Sequence, residues 1–302
     1  MSDLAGRLTA GPCLLLDGGL GSMLLAGGLT PGDAPERLNL NQPDLVLDVH
    51  RRYVAAGSQA IHSNTFGANP FRLAHFGLDD QCAELNRRAV EIARQAEPAF
   101  LLGDMGPTGQ YLPPVGDGDC DRWREGFLVQ ATALLAAGVD GIHIETMGDR
   151  REAETALAAI RSLDANIPVL VSLTFDRKKR GFFTVMGDPL IASLNTLLAA
   201  GATAVGANCS IVSGDMGHLA AAALAEVTGP LVFQPNAGQP GERDGVLAYA
   251  QDPRDYAADL KPVIAGGAAA VGGCCGTDPR FIALLAEILA RPGPGSGSQV
   301  AT

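Results

Sequence analysis

Along the chain, short runs of apolar and β-branched residues alternate with longer runs whose apolar positions recur at helical spacing. The short runs cover residues 14–17, 60–64, 100–103, 141–145, 169–174, 204–208, 231–235 and 269–273 and read as strands. The longer runs predict helices over 44–56, 83–96, 122–137, 151–163, 190–200, 216–227, 254–265 and 279–290. Three of these helices end in the same tripeptide, Ala55-Ala56-Gly57, Ala136-Ala137-Gly138 and Ala199-Ala200-Gly201. A glycine just past the last turn accepts the left-handed conformation that closes a helix, so the echo has a mechanical origin. Eight strand–helix units place the chain in the α/β class as a single (β/α)8 TIM barrel over residues 1–290. Residues 291–302, rich in Gly, Pro and Ser, read as a disordered tail.

A barrel of this kind carries its chemistry where strands end and the following loops begin. Polar residues interrupt the apolar runs at those places. Asp17 follows the first strand, Asn64 and Thr65 the second, Asp104 the third, and Glu145 with Thr146 the fourth. Cys209 follows the sixth, Asn236 the seventh, and Cys274 with Cys275 the eighth.

Composition narrows the reading. With 47% hydrophobic residues and 38 glycines among 302, the chain suits a large core with many tight turns. A formal charge of −11 argues against a nucleic-acid surface, which needs clustered Lys and Arg. No run approaches the ~18 apolar residues of a membrane span. The start, Met1-Ser2-Asp3-Leu4, lacks the basic and apolar pattern of a signal peptide, so a cytoplasmic location is expected. In that reducing setting the six cysteines are expected as thiols serving as ligands, nucleophile or core.

Cys209 and the Cys274–Cys275 pair lie on strands separated in a barrel by one strand, so their thiols can converge at its mouth. Three thiolates select Zn²⁺ and leave a fourth position for a substrate. A lone buried cysteine packs as a small hydrophobe, the reading given to Cys13, Cys82 and Cys120.

The motif Val271-Gly-Gly-Cys-Cys-Gly-Thr-Asp-Pro279 closely resembles the C-terminal signature of the homocysteine S-methyltransferase family. Gly206-Ala-Asn-Cys-Ser210 resembles its first zinc-ligand motif, and Asp17-Gly-Gly-Leu-Gly21 its N-terminal motif. Asn64-Thr-Phe66, Gly106-Pro-Thr-Gly109, Glu145-Thr-Met147 and Pro235-Asn-Ala-Gly238 complete the series in order. The resemblance covers roughly residues 12–290. It implies a zinc-dependent transfer of a methyl group to the sulfur of homocysteine, forming methionine. By position, Cys209, Cys274 and Cys275 match the metal-binding, catalytic cysteines. Asp17 and Glu145 match the acids that hold the substrate ammonium group, and Gly18 and Gly19 supply amides to its carboxylate. Asn236 matches a residue able to approach the zinc when substrate is absent.

Other readings stay in play residue by residue. Asp17 also suits a turn carboxylate, Glu145 an acid paired with Arg150 or Arg151, and Asn64 either a turn former or a support for the substrate site. His62 and His143 read as hydrogen-bonded core histidines, with a supporting role open. Arg177-Lys178-Lys179-Arg180 reads as a solvated turn, and residues 103–121 have the length of a lid carrying Tyr111. The only lysines are Lys178, Lys179 and Lys261, none on a strand, which disfavours Schiff-base chemistry. Glycosidase chemistry leaves the cysteines unexplained. A zinc-binding sensor would close the fourth metal position with a protein ligand. The methyl donor stays open among betaine, S-methylmethionine, S-adenosylmethionine and a methylcorrinoid. Asp48-Val-His50 is half of a corrinoid-binding pattern and Tyr53 breaks it, so a corrinoid would arrive on a separate protein. Another small thiol or selenol is the alternative acceptor.

Overall fold

The computed structural model describes residues 3–243 and 246–291. Eight parallel strands form the barrel: β1 (Leu14–Leu15), β2 (Ala60–His62), β3 (Phe100–Met105), β4 (Gly141–Met147), β5 (Val169–Leu173), β6 (Ala204–Val212), β7 (Leu231–Asn236) and β8 (Ala270–Val271). From β2 to β8 each strand pairs with the next in sequence, and β8 pairs with β1. The ring closes at the β1–β2 seam without a ladder. There Gln59 N–H donates to the Leu15 carbonyl (2.8 Å), the Gln59 side chain accepts from Leu15 N–H (3.2 Å), and the Asp17 carboxylate accepts from His62 N–H (2.9 Å). Side chains thus replace part of the backbone pairing that would otherwise leave polar groups unsatisfied.

The helices fall where the apolar period places them, from Pro43–Ala55 and Cys82–Arg94 to Pro253–Ala265 and Pro279–Ala290. The three repeated glycines all take left-handed conformations, with φ of 107° at Gly57, 86° at Gly138 and 98° at Gly201. Two seven-residue helices, Leu4–Ala10 and Leu20–Ala26, were not expected, because they are too short to establish a period. The first has a structural task. Leu4 and Leu8 pack with the inward residues Leu14, Leu16, Ala60, Leu102, Leu170 and Val232, sealing the end of the barrel where the strands begin.

Toward the other end the inward positions turn polar. His62, Asp104, His143, Ser172, Asn208 and Gln234 are all buried. Each lies two residues beyond a smaller or apolar residue on its own strand, as the alternation of a strand requires. The interior is therefore apolar below and polar at the mouth.

Two antiparallel hairpins extend from the mouth, Asp176–Lys178 with Gly181–Phe183 and Pro240–Arg243 with Val246–Tyr249. The basic cluster lies on the first and is solvent-exposed, with Arg177 paired to Asp215 (2.7 Å) and Lys178 to Asp176 (3.1 Å). The segment after β3 is pinned rather than free. Thr108 donates its N–H and hydroxyl to Glu152, each at 2.6 Å, and buried Trp123 donates to Gln110 at 3.0 Å. Apart from Arg291, the tail at 291–302 lies outside the described residues.

Gly206 allows a close approach between β6 and β7. A Cβ there would lie 1.7 Å from the Val232 carbonyl oxygen on β7. Gly206→Ala should therefore destabilise the fold by more than the roughly 1–3 kcal/mol usual for overpacking. Urea denaturation checks this, and an unchanged midpoint would contradict it.

Candidate active site

Two strand ends depart from regular pairing. Between β4 and β5 the register shifts across Ile144–Met147, and between β6 and β7 it shifts across Asn208–Val212. Thr146 (φ 61°), Cys209 (φ 55°) and Ser210 (φ 50°) take left-handed conformations there. Such conformations in residues other than glycine are strained by about 1–3 kcal/mol each and need outside support. Asn208 supplies it: its Oδ1 accepts from Thr146 N–H (2.8 Å) and its Nδ2 donates to Thr146 Oγ1 (2.8 Å). A bulge re-aims the residues beside it. Here the paired bulges bring Glu145 and Cys209 into one cleft of about 530 Å³.

Cys274 and Cys275 enter the same cleft from the loop after β8. Cys274 N–H donates to the Pro235 carbonyl and the Cys275 carbonyl accepts from Ala237 N–H, both at 2.9 Å, which ties this loop to the end of β7. The sulfurs of Cys209, Cys274 and Cys275 all lie within 4.8 Å of one another, with Cys209 and Cys275 3.9 Å apart. Tetrahedral Zn–S bonds of roughly 2.3 Å would set sulfurs roughly 3.8 Å apart, so the spacing suits such an ion. The thiols share charge. Hydrogen bonds from Cys274 and Cys275 pull Cys209 down to about 3. That thiolate in turn holds Cys274 well above the usual range and Cys275 up to about 11. The cluster thus accommodates one negative charge readily and resists more without a cation. Asn236 lies beside Cys209, and its buried Oδ1 has no hydrogen-bond partner among the described residues. Cys13, Cys82 and Cys120 stand apart from this cluster, and all six cysteines are free thiols.

On the opposite wall a buried chain crosses the barrel. Asp17 Oδ1 contacts His62 Nδ1 (2.6 Å), His62 Nε2 contacts His143 Nδ1 (2.8 Å), and His143 Nε2 contacts Ser172 Oγ (2.8 Å). Burial pulls His62 down, but Asp17, with Glu145 and Asp104 nearby, overrides it and raises the imidazole to about 10. His62 is then a cation donating to Asp17 and His143. Burial and that charge keep His143 neutral, well below its ordinary range. Burial likewise raises Glu145 to about 7, against the pull of His62.

Each residue singled out from the sequence can now be placed. Cys209, Cys274, Cys275, Glu145, Gly18, Gly19 and Asn64 line the cleft. Asn64 donates its side-chain amide to the Pro35 carbonyl (2.9 Å) and to Asn39 Oδ1 (2.8 Å). Gly19 already gives its N–H to the Thr277 carbonyl (3.0 Å) and hydroxyl (3.1 Å). Asp17 is only 1% exposed, with both oxygens engaged by His62, and lies behind the wall. Sequence reasoning gave His62 only an open supporting role and Asp104 none, although both line the cleft. Their signal was the inward alternation Ala60–His62 and Leu102–Asp104 at strand ends.

Residues 14–289 match the homocysteine S-methyltransferase family. Two curated methionine synthases are similar, from Mycobacterium leprae (29% identical over 98% of this chain) and Mycobacterium tuberculosis (29% over 91%). The chain spans about a quarter of their length, 25% and 24% respectively. Among solved structures, the metallated homocysteine methyltransferase MmuM from Escherichia coli is similar at a TM-score of 0.77. It is 27% identical, covering 91% of this chain and 96% of that one.

The raised His62 gives a pH prediction. Its bond to Asp17 stabilises the fold fully below its unfolded value of about 6.5 and is lost as pH rises through about 10. The stability difference between wild type and His62→Gln should be largest near pH ~6 and shrink toward pH ~10 in urea titrations. A difference that grows with pH would contradict the assignment.

Proposed function

The chain belongs to the homocysteine S-methyltransferase family, and from that premise we propose that it transfers a methyl group to the thiolate of homocysteine, forming methionine, with Zn²⁺ held by Cys209, Cys274 and Cys275. The observation that carries this reading is the meeting of three sulfurs with Glu145 and the Gly18–Gly19 turn in a single cleft.

The residues divide the work by chemistry. When bound, zinc supplies a Lewis-acidic centre that keeps a coordinated thiol ionised near neutral pH. The three cysteines are the soft donors for it, and Asn236, beside Cys209 and with an Oδ1 that has no partner among the described residues, is the residue to approach it when substrate is absent. Glu145 accepts from the substrate ammonium group. Gly18 N–H, which has no hydrogen bond among the described residues, serves the carboxylate, while Gly19 is held by Thr277. Asp17 acts through His62, fixing its charge and orientation. Held at both ends, the amino acid presents its sulfur to a methyl group for in-line displacement, in which sulfur gains the methyl and the donor leaves with the bonding pair. The outer part of the cleft, lined by Asp33, Phe66, Arg72 and Phe76, is left for that donor.

The similarity to methionine synthases, of which this chain spans about a quarter, favours a second reading in which a separate corrinoid protein brings the methyl group. A zinc-loaded sample offered homocysteine with betaine, S-methylmethionine, S-adenosylmethionine or methylcobalamin distinguishes the two. Methionine from a small donor supports the first reading, and methionine only with methylcobalamin supports the second. Cys274→Ala should lose zinc and lower activity by more than the roughly 10–100-fold that loss of a supporting partner costs. Full zinc content in that variant, or no zinc bound by the wild type, would contradict the proposal, and zinc without methionine from any of these donors would point to the missing corrinoid protein of the second reading.

A further inference from the structure

Asp104 stands at the end of β3, between His62 on β2 and Glu145 on β4, and its side chain lines the cleft. It is buried, 6% exposed, and its Oδ1 has no hydrogen-bond partner among the described residues. Its backbone, by contrast, is fully engaged. Asp104 N–H donates to the hydroxyls of Thr65 (3.2 Å) and Ser63 (3.3 Å). Its carbonyl accepts from Thr65 Oγ1 (2.7 Å) and Gln130 Nε2 (3.3 Å). The residue is held rigidly with only its carboxylate left free.

Leaving a buried carboxylate unpartnered is costly, so the group calls for an occupant. The neighbouring acids have theirs. Asp17 is engaged by His62 and Glu36 by the N–H of Gly67, while Glu152 is engaged by Thr108. Among the described residues Glu145 is the other cleft acid without a close partner, its nearest cation-capable neighbour being His143 Nδ1 at 3.8 Å. Two free carboxylates on adjacent strands fit a ligand that brings positive charge and several donors. A second metal ion is a poorer fit. The cluster near Asp104 with ligand spacing is His62, His143 and Glu145, and its imidazoles already bond to each other at 2.8 Å. An ammonium group has three N–H donors in tetrahedral array, more than one carboxylate accepts without crowding.

We propose that Asp104 is a substrate-binding residue whose carboxylate accepts a hydrogen bond from the ammonium group of the amino-acid thiol, alongside Glu145. The proposal rests on the reading of this cleft as the homocysteine site and adds a residue to it. Burial, then Glu145, holds Asp104 well above the usual carboxylate range, and an ammonium group beside it opposes both effects.

The test compares homocysteine with 4-mercaptobutyrate, which is homocysteine without its amino group, on the zinc-loaded chain. Asp104→Asn should raise the KM for homocysteine roughly tenfold or more, the range of a charge-assisted bond, and change the Ki of 4-mercaptobutyrate by less than about twofold. Asp104→Ser should give the same split, which covers the case in which the first variant folds poorly. An unchanged KM, or equal weakening of both ligands, would overturn the inference. Failure of the wild type to use homocysteine with any methyl source would overturn the underlying reading instead, and is seen before any variant is made.

Discussion

The reciprocal hydrogen bonds between the Asn208 amide and Thr146 hold two bulged strand ends against each other, and the cleft is built on that clamp. Left-handed conformations at Thr146, Cys209 and Ser210 would relax toward ordinary strand geometry if nothing opposed them. Relaxed, β4 would return Glu145 to a plain alternation, and β6 would carry Cys209 away from Cys274 and Cys275. One side chain therefore couples the acidic wall of the cleft to its sulfur wall. Asn suits the task because it offers a donor and an acceptor on the same short, stiff group.

Electrostatics is the second constraint. The mouth collects Glu36, Asp104 and Glu145 beside three thiols, with Asp17 buried behind them, in a chain whose formal charge is already −11. Buried like charges repel strongly where water is excluded. His62 is the buried cation that offsets them, and its charge is fixed by contact with Asp17 on one side and a neutral His143 on the other. The same Asp17 also accepts the His62 N–H across the β1–β2 seam, so closure of the barrel and the charge state of the site share one carboxylate. The remaining negative charge is matched to what the site is proposed to receive, a divalent cation at the sulfurs and an ammonium group at the acids.

Much of this was legible in the sequence, for physical reasons. Eight strands and their helices appear because period and punctuation are local properties, and the glycine caps of Gly57, Gly138 and Gly201 announce themselves. The convergence of Cys209 with Cys274 and Cys275 followed from strand order alone. What stayed hidden depends on register and on backbone twist. Cys209 and Ser210 are not residues that advertise a left-handed conformation, so the bulge beside Asn208 left no sign. Asp17 looked like a residue facing the ligand, yet its burial behind His62 follows from how the seam closes, which no local pattern encodes. His62 and Asp104 sat in the right alternation, but whether their atoms find partners is a matter of neighbours three strands wide.

Family membership gives the class of chemistry, and the geometry gives the parts of this chain that would perform it. The central claim is that the three sulfurs hold a metal with a position open to the substrate thiol. X-ray absorption at the zinc edge, recorded before and after adding homocysteine, tests it most directly. The account predicts three sulfur neighbours in the resting protein, rising to four with homocysteine. A sulfur count that does not change on addition would contradict it.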